Sequence, residues 1–405
     1  MKQLNKVVTI IVSVMLAIAI VGCSTAAPAP AEPPKPAGDS QAPSTSGPTF
    51  DGEIYVGVTA GITGDAPLEG EAMTRAVTLA SEIINGQGGV LGKKLVPVIE
   101  DDSYTPEGAI TVANKFIADE KIVAMAGPGR SSSFMAISDL IKEAGMPIVT
   151  PATSTTFYKL DNPYWFRDRT TDGVSTNIAT RFLVEELGLK KIGVMLTNDD
   201  AGLAARAVIE STLKELGVDH EIIVYNGGEI DYSGQVLQLR DAGADGLVLW
   251  GHTVDYAVIC RNMYQLGYDV PTVGNTGFMS ATFLDLVDDE VADGLYVVTD
   301  INLESEDPYV KYFLDEYSKR YPDVKPDVVD AIHFAHMFLI ADAIKRAGVA
   351  ERQAIADALK ETRDVPSVLG PLTCAKNQDC AHTATVFQNE GKVAHAIKTF
   401  TLEVE

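Results

Sequence analysis

The chain has 405 residues and a formal net charge of −24, from 32 Lys+Arg against 56 Asp+Glu. A surface this acidic repels phosphate backbones and anionic lipid, so no nucleic-acid partner is expected. The length suits a leader followed by two compact domains. Apart from Val7–Val21, no apolar stretch is long enough to span a bilayer.

The first residues read as a processing signal. Lys2 and Lys6 form a positive n-region, and Val7–Val21 is apolar except for Thr9 and Ser13. That run is shorter than the roughly 20 residues of a membrane span and fits the h-region of a secretory signal. It ends in Ile20-Val21-Gly22-Cys23, which resembles a lipobox, in which Cys23 is acylated on sulfur and becomes the new N-terminus. The alternative is an uncleaved anchor helix with an incidental cysteine; either places the body of the protein outside the cytoplasm. Residues 1–22 are therefore expected to be a lipoprotein signal peptide. Residues 23–50, with Pro28, Pro30, Pro33, Pro34, Pro36, Pro43 and Pro48, are expected to be a disordered spacer.

From residue 53 strands and helices alternate. Glu53–Ala60 carries Ile54, Val56 and Val58 at period two, and Pro67–Asn85 carries Leu68, Ala72, Met73, Ala76, Leu79, Ala80 and Ile83 at helical spacing. Gly86-Gln87-Gly88-Gly89 breaks that helix. Strand Lys94–Glu100, helix Pro106–Ala118, strand Lys121–Gly127, helix Ser132–Ala144 and strand Pro147–Thr150 follow. The pattern restarts after Asp172. Helix Val174–Leu187 leads to strand Lys191–Thr197, helix Gly202–Leu216, strand Asp219–Tyr225, helix Ser233–Ala242, strand Gly246–Trp250, helix Val254–Leu266 and strand Val270–Gly274. Serial βα units predict an α/β fold with parallel, doubly wound sheets in two lobes. The tail departs from alternation, with helices at Asp307–Tyr321, Asp327–Ala347 and Glu351–Glu361. Strands are expected at Leu369–Thr373, Thr383–Gln388 and Lys392–Phe400, the last two joined by a turn at Asn389-Glu390-Gly391.

Cys374 and Cys380 bracket a short polar turn in a compartment that permits disulfides, and a disulfide is favoured there. Metal binding is the weaker reading, since His382 alone completes no site. Cys260 lies in a helical pattern and reads as an apolar filler. Gly86-x-Gly88-x-x-x-Gly92 follows a helix and precedes a strand, the reverse of a dinucleotide fingerprint. His333 and His336 share a helix face without a zinc pattern and read as packing or surface residues. No catalytic motif stands out, so neither an enzyme nor a cofactor is expected.

Several segments together resemble the periplasmic binding protein type I family, in particular the branched-chain amino acid (leucine-binding-like) receptors of ABC importers. They are IYVGVTAGITGD, IINGQGGVLGKKL, EDDSYTPEGAITVANKFI, AGPGRSSS, PIVTPATS and GPLT, in order from Ile54 to Thr373. The resemblance implies two Rossmann-like lobes joined by three crossings, near Thr171, Asp300 and Thr383, with ligand trapped between them. Lobe one is then residues 51–172 and 300–382, and lobe two 173–299 and 383–405. It also implies a monomer that captures an amino acid or related small carboxylate and delivers it to an ABC permease in the membrane. A ligand sensor for a membrane signalling partner is the alternative use of the same cleft.

The resemblance carries ligand carboxylate binding to Ser131, a backbone contact to Ala152 and a hydroxyl contact to Ser154. Helix capping is the other reading of both serines. Arg130 either reinforces anion binding or is a solvated loop arginine. Elsewhere the chain departs from the family pattern. Thr276 stands where branched-chain receptors carry an acid for the amine, Ala201 where lobe two often has tyrosine, and His252 at another aromatic position. Glu69 occupies a pocket-wall position that is usually aromatic or apolar. It either supplies negative charge to the ligand or simply begins a helix, where an acid suits the dipole.

Overall fold

The computed structural model describes residues 48–401, except Asp65 and His382 and the side chain of Thr401. The expected signal peptide, Cys23, most of the spacer and His382 lie outside the described residues.

The first sheet contains β1 (Glu53–Ala60), β2 (Lys94–Asp101), β3 (Ile122–Ala126), β4 (Ile148–Thr150) and β5 (Trp165–Arg167). Its order is β2-β1-β3-β4-β5 and every pairing is parallel. The connecting helices are α1 (Pro67–Gly86), α2 (Pro106–Ala118) and α3 (Ser131–Ala144). Proline in the first turn starts α1 and α2, and Thr105 caps α2 by accepting from the Gly108 N–H. In such a sheet the strand order reverses beside β1, and ligand crevices form outside the strand C-termini at that switch point.

The second sheet repeats this winding. Its strands are β6 (Lys191–Thr197), β7 (Asp219–Tyr225), β8 (Gly246–Trp250), β9 (Thr272–Gly274) and β10 (Tyr296–Thr299), followed late in the chain by β11 (Thr383–Glu390) and β12 (Val393–Thr401). The order is β12-β11-β10-β9-β8-β6-β7, parallel through β10 and antiparallel for the final hairpin. Its helices are α4 (Asp172–Arg181), α5 (Asp200–Leu216), α6 (Ser233–Asp241), α7 (Thr253–Gln265), α8 (Ala281–Leu286) and α9 (Asp289–Ala292).

The chain then supplies α10 (Pro308–Arg320), α11 (Val328–Ala347) and α12 (Arg352–Lys360) to the first sheet. Val310, Phe313, Ile332, Ile340 and Ile344 share one core with Val56, Val58, Ala76 and Ala80. α11 is buried on nearly every face, as a helix apolar all round must be. Asp327 begins it with a capping box, its Oδ1 accepting from the Val329 and Asp330 N–H groups.

Close packing of helix starts on strand ends depends on glycine. A Cβ on Gly70 would stand 2.1 Å from the Gly61 carbonyl oxygen, and one on Gly202 2.0 Å from that of Thr197. These glycines bring the first turns of α1 and α5 against the ends of their sheets.

The expected elements are present within a residue or two, with three differences. Leu369–Thr373 is not a strand; it is irregular, with a single bridge from Leu372 to Val365. Here the Cys374–Cys380 disulfide and the Thr373 N–H bond to the Cys380 carbonyl shape the chain into a loop. The helix expected to open at Val174 starts at Asp172, where Thr171 caps it, and its last turn widens into a π-turn at Phe182–Glu186. β5 and β10, and the short helices α8 and α9, have three to six residues, too few for periodicity to announce them.

Candidate functional site

A cavity of about 720 Å³ lies between the two sheets, walled by loops that follow strand C-termini in both. From the first sheet come Glu69 after β1, Gly129–Ser132 after β3, Pro151 and Thr153 after β4, and Arg169, Thr170 and Asp172 after β5. The second contributes Asn198, Asp199 and Ala201 after β6, Gly227 and Gly228 after β7, Gly251–Asp255 after β8, and Asn275–Gly277 after β9. The volume is within the range of small-molecule sites.

One end of the cavity gathers groups able to bond an anion. Ser131 is the first residue of α3, and no side chain caps that helix. Its first N–H groups therefore keep their bonding capacity, and the helix dipole favours negative charge there. Ser131 Oγ accepts from the Ser154 N–H at 3.3 Å, which leaves its own hydrogen for a ligand oxygen. Arg130 also lines the cavity, its guanidinium 4.3 Å above the Tyr104 ring centroid.

Glu69 faces the cavity from the first turn of α1 and is 7% exposed. Tyr104 Oη donates to its Oε2 at 2.7 Å and Thr253 Oγ1 to its Oε1 at 3.2 Å. Burial raises its pKa; those two hydrogen bonds pull the other way without cancelling the effect. The two readings of Glu69 are therefore compatible, since it starts the helix and walls the cavity. His252 Nε2 meets Asp199 Oδ2 at 2.5 Å. Burial works against an ionised Asp199, but the bond and charge of His252, with the Gly202 and Ala201 N–H groups, hold its pKa below the usual value. Asp255 Oδ1 accepts from the Gly228 N–H and Tyr232 Oη.

At the cavity wall, chain segments far apart in sequence are tied together. Arg169 Nε donates to both oxygens of Asp300, at 2.7 and 2.8 Å. The Thr170 N–H also donates to Asp300, and Thr170 Oγ1 donates to the Thr383 carbonyl. Arg169 Nη2 donates to Thr276 Oγ1, which donates to Thr299 Oγ1. Nearby, Arg167 is wholly buried and paired with Asp379 inside the disulfide loop.

Ser131, Glu69, Arg130, Ala201, His252 and Thr276 all line the cavity. Ala152 and Ser154 do not. The Ala152 N–H is bonded to Thr150 Oγ1, and its carbonyl accepts from Arg167. Ser154 is fully buried; it caps the short helical turn Thr155–Lys159 and donates to the Asp200 carbonyl in the other lobe. The chain turns inward after β4, so their neighbours Pro151 and Thr153 face the space instead. His333 and His336 are both buried rather than at the surface: His333 reaches the cavity wall, and His336 Nε2 meets Asp168 at 3.0 Å.

Sequence reasoning missed Tyr104 and Asp172. Tyr104 has φ 57° in a left-handed turn after β2, a conformation no periodicity announces. Asp172 marked only a restart of the pattern. It is in fact a buried cavity residue, accepting from Trp250 Nε1 and Thr153 Oγ1, both at 2.8 Å. Burial raises its pKa against the pull of those donors. Among the described residues no three His, Cys, Asp or Glu side chains group as a metal requires.

The sequence model of the periplasmic binding protein family matches residues 53–392, most of the chain. The chain belongs to the periplasmic binding protein family. Among family relatives, the Leu/Ile/Val-binding protein BraC3 of Rhizobium johnstonii is 23% identical over 330 residues, 81% of this chain and 89% of that protein. In three dimensions the chain is similar to the leucine-binding protein LivK of Thermotoga maritima, with TM-score 0.81 and 22% identity over 86% of this chain and 99% of that one. It is also similar to the branched-chain amino acid transporter substrate-binding protein LivJ of Streptococcus pneumoniae in complex with isoleucine. That match has TM-score 0.79 and 24% identity over 86% and 99% of the two chains. Both structures share with this chain the two-lobed fold.

Proposed function

We propose that this periplasmic binding protein is the extracytoplasmic receptor of an ABC importer, capturing an amino acid or related small carboxylate between its lobes. The observation that carries the reading is the uncapped N-terminus of α3, with Ser131 at its start, opening into the interlobe cavity that the buried carboxylate of Asp172 also lines. A carboxylate is held by the helix N–H groups and the Ser131 hydroxyl, and an ammonium by Asp172. The leucine, isoleucine and valine binding named for its relatives, and the isoleucine bound to pneumococcal LivJ, support an amino-acid ligand.

The lobes divide at 51–172 with 300–382 and 173–299 with 383–405. The Arg169–Asp300 and Thr170–Thr383 bonds then lie where the crossings meet and form the hinge. Cys23 is the lipid attachment site that keeps a monomeric receptor beside its permease. Isothermal titration with amino acids and small organic acids tests the ligand class, with Ser131→Ala expected to weaken carboxylate binding about tenfold, roughly 1.4 kcal/mol. Failure of every such compound to bind overturns the reading. For the anchor, Cys23→Ser is expected to abolish palmitate labelling and release the protein from membranes; retained labelling refutes it.

A further inference from the structure

Beyond the carboxylate end, the cavity carries more negative charge than one amino acid ammonium can neutralise. Arg169 is neutralised by Asp300, and Asp199 is paired with His252. Glu69, Asp172 and Asp255 remain. All three are more than nine-tenths buried, all three line the cavity, and none forms an ion pair with a described basic side chain; Arg130 acts on Glu69, and Arg167 and Arg169 on Asp172, only through space. Their neighbours supply only neutral donors: Tyr104 and Thr253 to Glu69, Trp250 and Thr153 to Asp172, Tyr232 and the Gly228 N–H to Asp255.

A buried carboxylate without a counter-charge is costly, and burying an aliphatic side chain against it adds desolvation with no return. Asp172 is matched by the α-ammonium of the proposed ligand. Glu69 and Asp255 are not. They are close in the fold, because Thr253, which bonds Glu69, lies two residues before Asp255 on α7. Asp255 is in the first turn of α7, where an acid commonly serves the helix dipole. Yet its Oδ1 bonds reach out to Gly228 and Tyr232, while Oδ2 accepts no hydrogen bond from a described residue. On a side chain that lines the cavity, that oxygen is open to a donor supplied by ligand.

We infer that the ligand is an amino acid with a cationic side chain, whose distal ammonium or guanidinium is held between Glu69 and Asp255. The inference rests on the amino-acid reading above and narrows it, away from the branched aliphatic ligands named for the relatives.

The test is isothermal titration of the purified, ligand-stripped protein against L-arginine, L-lysine, L-ornithine, L-leucine, L-isoleucine, agmatine and putrescine. At least one basic amino acid is expected to bind tenfold or more tightly than leucine or isoleucine. Glu69→Gln and Asp255→Asn, each checked for unchanged thermal unfolding, are expected to weaken the basic ligand tenfold or more and to bring leucine closer to it. Tighter binding of leucine or isoleucine by the wild type overturns the inference and leaves the amino-acid reading standing. Binding of agmatine or putrescine in preference to every amino acid overturns the carboxylate reading while upholding the paired acids as a cation site. Failure of all seven compounds overturns the inference. The wild-type comparison is decisive even if either variant fails to fold.

Discussion

Thr253, at the start of α7, donates a hydrogen bond across the cleft to Glu69, in the first turn of α1, at 3.2 Å. Others cross between the sheets as well, among them Ser154 Oγ to the Asp200 carbonyl and the Ala281 N–H to Asp327 Oδ2. The two halves are thus held together by direct contacts across the cleft. Because these bonds exist only when the lobes meet, they stabilise the closed state selectively. Thr253→Val keeps shape and removes the donor. It is expected to speed ligand release about three- to tenfold, roughly 1 kcal/mol, with little change in association rate. Stopped-flow fluorescence measures both rates; an unchanged off-rate removes the latch.

Asp300 neutralises Arg169 where distant chain segments come together, and both side chains are nearly inaccessible. Removing one partner of a buried pair leaves the other charge uncompensated, at about 3–5 kcal/mol. Asp300→Ala is therefore expected to lower unfolding free energy by about that amount in urea titrations. Thr276→Val removes a single neutral acceptor of Arg169 and should cost about 1 kcal/mol. Equal losses in the two variants would show that the charge pair has no special weight.

The disulfide joining Cys374 and Cys380 closes a short loop that holds Asp379 against the buried Arg167 guanidinium. Loop-closure entropy for so short a span gives about 2 kcal/mol. Cys374→Ser with Cys380→Ser is expected to lower the melting temperature by several degrees, and dithiothreitol should do the same to the wild type. A wild type insensitive to reductant, with the bond shown by mass spectrometry to be broken, counts against a structural role.

What sequence reading captured and what it missed follow from the range of the forces involved. Glu53–Ala60 and Asp219–Tyr225 are strands to the residue because alternation along one segment reflects its own burial. The resemblance likewise led to Glu69, His252 and Thr276, all at the cavity wall. Ala152 and Ser154 do not line the cavity because which residue of a loop faces it is decided by the turn after β4 and by partners elsewhere, Arg167 and Asp200. Tyr104 and Asp172 were missed for the same reason. Their contacts are with Glu69, Trp250 and Thr153, none of which is a near neighbour in sequence.

Asp330 gives the fold a pH dependence of definite sign. Burial, reinforced by Asp327, pushes its carboxyl from 3.8 up to about 7, against the opposing influence of Arg75 and Tyr317. Tyr317 Oη donates to one of its oxygens at 2.8 Å and the Asp327 N–H to the other at 3.1 Å. The folded state thus holds this proton more tightly than the unfolded chain. The resulting stabilisation is fully present below about pH 4 and is lost as pH rises through about 7. Asp330→Asn cannot titrate. Its stability relative to the wild type is expected to rise with pH, by up to about 1.4 kcal/mol per unit between these limits, because only the wild type loses stabilisation as Asp330 ionises. Urea unfolding of both proteins from pH 4 to 8 reads the difference directly. Parallel stability curves would mean that Asp330 is ionised throughout, with Arg75 as its effective counter-charge.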